Sequence, residues 1–278
     1  MKLSIIIPTF NNLEFLECTL NSITKNSKYI HEIIIHINDG SDGTLEYIKN
    51  KKIKFSHSAE NIGLCKSVNL ASKLISTNHI LYAHDDMFFC KNWDFYLEKE
   101  IIKYKDNLYY LTGTNVSVNK GLINYDCGSS PKNFEEQKFN DFCNNDTSKD
   151  LQGSHWAPHL IHKDIWSKVG GFSEEFNPGI ASDPDFNMKL WNEGVRIFKG
   201  LNDFKVYHFS SLTTRKKKNF IQNRGDKTFL KKWGFSTKFF KKYYLKSKTK
   251  YEGPLNEPKK TFNYFLDLLI CKIRLFLT

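Results

Sequence analysis

The feature that most constrains this chain is a recurring pattern: a short apolar run closed by a polar cluster. Residues 3–7 run into Pro8-Thr9-Phe10-Asn11, residues 32–37 into Asn38-Asp39-Gly40-Ser41-Asp42-Gly43, and residues 79–83 into His84-Asp85-Asp86. β-Branched runs of this length, bounded by turn residues, read as buried strands. Helical patterns lie between them. Leu13, Leu16, Leu20 and Ile23 share one helical face behind Asn11 or Asn12 as cap. A short helix carries Leu45 and Ile48, residues 53–55 form a third strand, and 63–75 a further helix. Strands alternating with helices predict an α/β fold with a mostly parallel sheet and right-handed crossovers. Ligands of such sheets bind beyond the carboxyl ends of the strands. The three polar clusters are therefore expected to converge on one crevice.

The second half is less regular. Residues 93–104 read as a helix and 108–118 as an extended strand. Residues 121–150, rich in Asn, Asp, Lys and Ser, read as a long loop and a candidate lid. Helices follow at 163–169 and 184–193, the second with Pro184 early in the helix and Ser182 or Asp183 as cap. Residues 205–209 read as a late strand.

Charge divides the chain more sharply than any linker. The 278 residues carry a net +11, yet residues 215–278 hold 18 Lys and Arg against 4 Asp and Glu, whereas 1–214 hold 23 against 26. A near-neutral body thus bears a basic tail, suited to a polyanion such as nucleic acid or an anionic membrane. The shift near 210–215 suggests a domain over 1–212 and a basic amphipathic helical extension over 213–278. Within the domain, a nucleotide-binding half covers about 1–118 and an acceptor-side half about 119–212. No apolar run approaches the roughly 18 residues of a membrane span, and the first apolar stretch is too short for a signal-peptide core. The six cysteines form no C-x-x-C pair and read as free thiols in a reducing compartment. The expected location is cytoplasmic.

Several residues carry chemistry. Adjacent carboxylates at a buried strand end, Asp85 and Asp86, are costly unless a cation offsets them. A divalent ion bridging two phosphates, Mg²⁺ or Mn²⁺, suits such oxygens. A solvated turn is the alternative, and convergence with the other clusters favours the metal. Asp39 either accepts from a nucleobase or ribose or serves turn chemistry alone. Asp183 and Asp185 flank Pro184 at a helix start, where carboxylates cap and complement the dipole. If Asp183 faces the crevice it is a general base. His208, isolated in an apolar strand, is a metal ligand only in company with Asp86.

Taken in order, Ser4-Ile5-Ile6-Ile7-Pro8-Thr9-Phe10-Asn11, Asn38-Asp39-Gly40-Ser41-Asp42-Gly43-Thr44, Asn61-Ile62-Gly63, Tyr82-Ala83-His84-Asp85-Asp86, Val169-Gly170-Gly171-Phe172-Ser173-Glu174-Glu175-Phe176 and Ser182-Asp183-Pro184-Asp185-Phe186 resemble family 2 glycosyltransferases of the GT-A fold over roughly residues 1–210. The resemblance implies inverting transfer of a hexosyl or N-acetylhexosaminyl group from a nucleoside-diphosphate sugar, most often UDP-linked. The ion would be Mn²⁺ or Mg²⁺, and the acceptor a glycan or lipid-linked hydroxyl in surface polysaccharide or glycoconjugate synthesis. Carried over by position, Pro8, Thr9, Asn11, Asp39, Asn61 and Asp85 contact the nucleotide sugar. Asp86 and His208 hold the metal, Asp183 is the base, and His155, Trp156 and Ser182 line the donor-sugar and acceptor pocket. Two positions depart from the pattern: His84 replaces the first Asp of a D-x-D triplet, and Ser182 replaces the common Glu before the base.

In the tail, Phe229, Leu230, Trp233, Phe240, Tyr243 and Tyr244 recur at near-helical spacing among lysines, and residues 261–277 are largely apolar but broken by Asp267, Lys272 and Arg274. That pattern reads as an interfacial helix on a membrane, with a helical lid packed on the body as the alternative. Two other functions fit less well. A nucleic-acid-binding protein would use the basic tail and its aromatics, but carries no recognised motif. A sugar-phosphate nucleotidyltransferase would need a Gly-rich basic loop after the first strand, and Pro8-Thr9-Phe10-Asn11-Asn12 is not one.

Overall fold

The computed structural model describes residues 1–119, 121–210 and 224–277; the expected domain boundary near 210–215 falls outside them for the most part. The first half alternates as its pattern demands: β1 (Ser4–Phe10), α1 (Leu13–Asn26), β2 (Glu32–Asn38), α2 (Thr44–Asn50), β3 (Lys54–Ser58), α3 (Leu64–Ser72) and β4 (His79–Tyr82). Then come β5 (Met87–Phe89), α4 (Trp93–Ile101), β6 (Tyr109–Ser117), β7 (Ile123–Asn124), α5 (Glu136–Asn145), β8 (Leu151–Gln152), β9 (His159–His162), α6 (Lys163–Val169), α7 (Ser182–Asn192) and β10 (Ile197–His208).

Among the described residues these strands form one sheet in the order β3-β2-β1-β4-β9-β6-β10-β5, with β7 beside β6 and β8 beside β10. The first four strands are parallel, as the crossover pattern predicts. The parallel expectation fails further on. β9 enters from a loop rather than a crossover helix and runs antiparallel to both β4 and β6, while β5 and β8 are antiparallel to β10. Pro8 sits inside β1, but pairing with β4 ends at Ile6, so its missing N–H breaks no bond on that side.

Three other expectations are corrected. The 121–150 stretch is not one long loop: it contains α5, whose Phe139 is fully buried and stacks with Phe88, Phe134 and Tyr207. α7 starts at Ser182, two residues earlier than expected, and its N-cap is Ala181 in a left-handed conformation, φ 64°. The late strand is 12 residues long, because Lys199 and Lys205 enter the sheet paired. Lys199 meets Glu100 at 2.7 Å and Asp150 at 2.9 Å, and Lys205 meets Asp146 at 3.0 Å.

The tail is woven into the body. Gln152 donates its backbone N–H to Thr249 O, Lys248 donates to Gln152 O, and Tyr251 to Asp150 O, at 2.7–3.1 Å. The helix Gly225–Trp233 docks on α7 through Asp185, which is wholly buried. Trp233 Nε1 donates to Asp185 Oδ1 at 2.9 Å, and Lys232 Nζ lies 2.9 Å from the same oxygen. Phe229, Phe235, Phe239, Phe240 and Tyr244 cluster through tilted and edge-on ring contacts, and Tyr244 meets Trp191 of α7 edge-on at 5.2 Å.

Candidate active site

The carboxyl ends of β1, β2 and β4 bring the three polar clusters together. Asn11 and Asp39 both adopt positive φ, 46° and 61°, which Asn and Asp tolerate better than other side chains. Their amide and carboxylate meet: Asn11 Nδ2 donates to Asp39 Oδ2 at 2.8 Å, and Gly40 N donates back to Asn11 Oδ1 at 2.8 Å. Thr9 Oγ1 donates to Asp85 Oδ2 at 2.7 Å. Asn38, given no role in the sequence reading, ties the floor by donating to Thr9 O at 3.1 Å and accepting from Ile62 N at 3.0 Å. Asn61 is exposed, and its Oδ1 accepts from Gly63 N in its own loop.

The metal candidates meet through strand register. His208 pairs with Met87 across β10 and β5, and Phe209 N donates to Asp86 O at 3.0 Å. This sets Asp86 directly beside His208, whose Nε2 lies 3.1 Å from Asp86 Oδ1. His84 completes the group: ligand atoms from His84, Asp86 and His208 all lie within 4.8 Å of one another. Its ring faces that of His208 at 5.5 Å. Burial, then the neighbouring His208, pushes His84 down to about 4, so at neutral pH it keeps a lone pair for a metal. His208 moves up: burial opposes this, but the charge of Asp86 outweighs it. Asp85 is pushed up to about 7 by burial and by Asp86. One carboxylate and two imidazoles, the His84 ring held neutral, form a donor set that a divalent cation fits.

Asp183 stands on the first turn of α7. Burial pushes it up to about 7, with Lys241 of the tail pulling the other way. Its carboxylate has no hydrogen-bond donor among the described residues. A raised, unengaged carboxyl of this kind suits proton abstraction near neutral pH. Ser182 Oγ donates to Gly179 O at 2.7 Å. Asp185, two residues further along α7, anchors the tail instead.

A row of rings that sequence reasoning missed joins the two sides. His84 meets Tyr82 at 5.5 Å, Tyr82 meets His159 at 4.9 Å, and His159 stacks on Phe186 of α7 at 5.7 Å. Burial, followed by the charges of Asp183, Cys65, Tyr110 and Asp85, drives the Tyr82 hydroxyl up, so it feels both sides of the crevice. His159 is fully buried with neither ring nitrogen hydrogen-bonded among the described residues, and burial holds it neutral at about 3. Beyond it, Trp156 Nε1 donates to Gly113 O at 2.7 Å, and His155 stacks edge-on against Trp156 at 5.0 Å. Ser247 of the tail donates to Gly153 O at 2.7 Å and lies 3.3 Å from His155 Nδ1. Burial, then Lys241, holds His155 down at about 3.

A large central sheet flanked by helices, its first four strands parallel, is the architecture of the GT-A class. The family model for glycosyl transferase family 2 matches residues 4–164, more than half of the chain, and the chain belongs to that family. Among solved structures, S. aureus TarS 1–349 is 17% identical with a TM-score of 0.55, the match covering 75% of this chain and 60% of that one. The complex of TarS 1–349 with UDP-GlcNAc gives 17%, 0.54, 87% and 75% in the same order. GalNAc-T7 with UDP, GalNAc and Mn²⁺ gives 17%, 0.57, 75% and 44%. The chain thus spans less than two thirds of the first of these neighbours, and the likeness is one of fold. None of the curated proteins compared with it matches in sequence.

Proposed function

We propose that this chain transfers a sugar, with inversion, from a UDP-linked donor to a hydroxyl of a glycan or lipid-linked acceptor, using Mn²⁺. The supporting observation is the meeting of His84, Asp86 and His208 within 4.8 Å at the same strand ends as the Thr9–Asp85 and Asn11–Asp39 pairs. In this reading Asp39 accepts from the uracil or ribose, Asn11 fixes its carboxylate, and Pro8 shapes the wall. Thr9 orients Asp85 toward the ribose, and Asn61 borders the entrance. When bound, the metal neutralises charge on the departing diphosphate. Asp183 takes the proton of the acceptor hydroxyl while that oxygen forms its bond to the anomeric carbon and the bond to the diphosphate oxygen breaks. A single displacement inverts the centre. His155, Trp156 and Ser182 frame the acceptor side and exclude water.

Two imidazoles and one carboxylate favour Mn²⁺ over Mg²⁺, which prefers an all-oxygen shell. His84 thus substitutes a nitrogen ligand for the absent Asp. The proposed location is the cytoplasm, at the inner face of a membrane, in keeping with six free thiols. The domain reading stays a catalytic body over 1–212 with the extension over 213–278, the extension serving as acceptor-side wall.

Thermal shift tests this with UDP, GDP and dTDP, each with Mn²⁺, Mg²⁺ or neither. A ligand bound only by the native state raises apparent stability. The expected result is a shift that requires UDP and is larger with Mn²⁺ than Mg²⁺. Absence of any nucleotide-dependent shift would remove the donor site.

A further inference from the structure

The helix Phe262–Phe276 has one face on the body and one face bare. Tyr264 and Cys271 are buried: the Tyr264 ring meets Phe239 at 5.0 Å and Tyr243 at 5.1 Å, and Cys271 Sγ accepts from Ser236 N at 3.4 Å. On the other side Phe262 is 81% exposed, Leu269 53% and Phe276 92%, with Phe265, Leu266, Ile270 and Ile273 exposed between them. At about 100° per residue these side chains share one continuous arc of roughly 140°. A soluble surface rarely leaves such a contiguous apolar stripe uncovered.

We propose that this helix lies in the plane of an anionic lipid surface, its bare face in the acyl boundary and its cations among the headgroups. The charges are placed for that occupant. Lys272 falls at one border of the apolar arc, where a long cationic side chain reaches headgroups while its stem stays apolar. Exposed Lys259 and Lys260 precede the helix. The helix's single acidic residue, Asp267, is already neutralised by Lys242 at 2.8 Å. A span is excluded for this helix: its 15 residues extend about 22 Å, short of the roughly 30 Å hydrocarbon core. A second copy is disfavoured, because joining two such faces brings two strongly basic tails together. Where the glycosyl-transfer reading holds, docking also has a direction. The same tail carries Lys241 and Ser247 to the acceptor side of the site, so a membrane-bound helix presents that side to acceptors anchored in the same membrane.

The test is co-sedimentation of the full chain with large vesicles of phosphatidylcholine alone or containing phosphatidylglycerol. Binding is expected to be about tenfold stronger to the anionic vesicles and to weaken with salt. Leu269→Glu with Ile273→Glu should lower it at least about tenfold, and Lys272→Glu a few-fold. All three positions are exposed, so circular dichroism and the UDP-dependent thermal shift should be unchanged. Equal, negligible binding to both vesicles overturns the proposal, as does binding indifferent to the glutamates. A concentration-dependent dimer in sedimentation velocity, abolished by the same glutamates without vesicle binding, assigns the face to a second copy instead. The thermal shift is read without vesicles, so failure of the donor reading registers separately.

Discussion

The proposed donor side and the proposed acceptor side of the crevice are built by different means. The donor side is made by strand ends: Thr9, Asp39, Asp85 and Asp86 each sit within a few residues of a β1, β2 or β4 terminus, and parallel register fixes their spacing. The acceptor side is made by packing. Asp183 stands on α7, and α7 is held by Trp233 and Lys232 through Asp185, while Ser247 grips the Gly153–His155 turn. Backbone register tolerates few changes and is readable locally. A wall assembled from distant segments can be rebuilt without disturbing the nucleotide, which would let one donor site serve many acceptors.

The sharpest way to break this comparison is Asp183→Ala. Turnover should fall by about 10⁴-fold while the UDP-dependent thermal shift survives. Loss of both would mean that the two sides are not separable. Asp86→Ala is the converse: the metal-dependent part of the nucleotide shift should vanish, and turnover should drop by about 10³-fold. Isothermal titration with Mn²⁺ in the presence of UDP reads it directly. Asp185→Ala acts on the wall alone. It leaves the Trp233 indole donor without its buried acceptor and should cost about 2 kcal/mol in urea unfolding, raising the acceptor KM and leaving the donor KM unchanged.

The smallest effect is the most diagnostic. With Asp183 at about 7, kcat/KM should rise as pH climbs through about 7, where the base loses its proton. Burial raises this carboxyl and Lys241 restrains it, so Lys241→Met should move the acidic limb upward by less than one pH unit. Linkage gives a second readout with the opposite sense. A carboxyl that holds its proton more tightly folded than unfolded makes stability decline as pH rises from its unfolded value, about 3.9, through the folded one. Asp183→Asn should therefore flatten the fall in melting temperature between pH 5 and pH 8.

The contrast also explains what the sequence could and could not disclose. The alternation in the first 90 residues marks its own strands, and the polar clusters mark their ends, so the meeting of those clusters was legible. His208 was legible only as a conditional ligand, since its partnership with Asp86 depends on β5 crossing to the far edge of the sheet. α5 escaped notice because three Asn dilute its helical propensity and only Phe139 and Phe142 signal a face. β10 looked short because Lys199 seemed out of place in a core, and its carboxylate partners lie 49 and 99 residues away. Lys241, Ser247 and His159 carry no local signal at all; their roles arise from contacts the chain makes only once folded.

The path from β4 to β5 has a mechanical side. Four strand spacings separate these two strands in the sheet order, about 19 Å if the sheet were flat. The link from Tyr82 to Met87 reaches at most about 18 Å when fully drawn out. The triplet is consequently a short tether across the mouth of the sheet, and the sheet must curl to let it close. One residue added between Ala83 and Met87 would slacken that tether and turn Asp86 away from His208, dismantling the ligand set without altering any of its members.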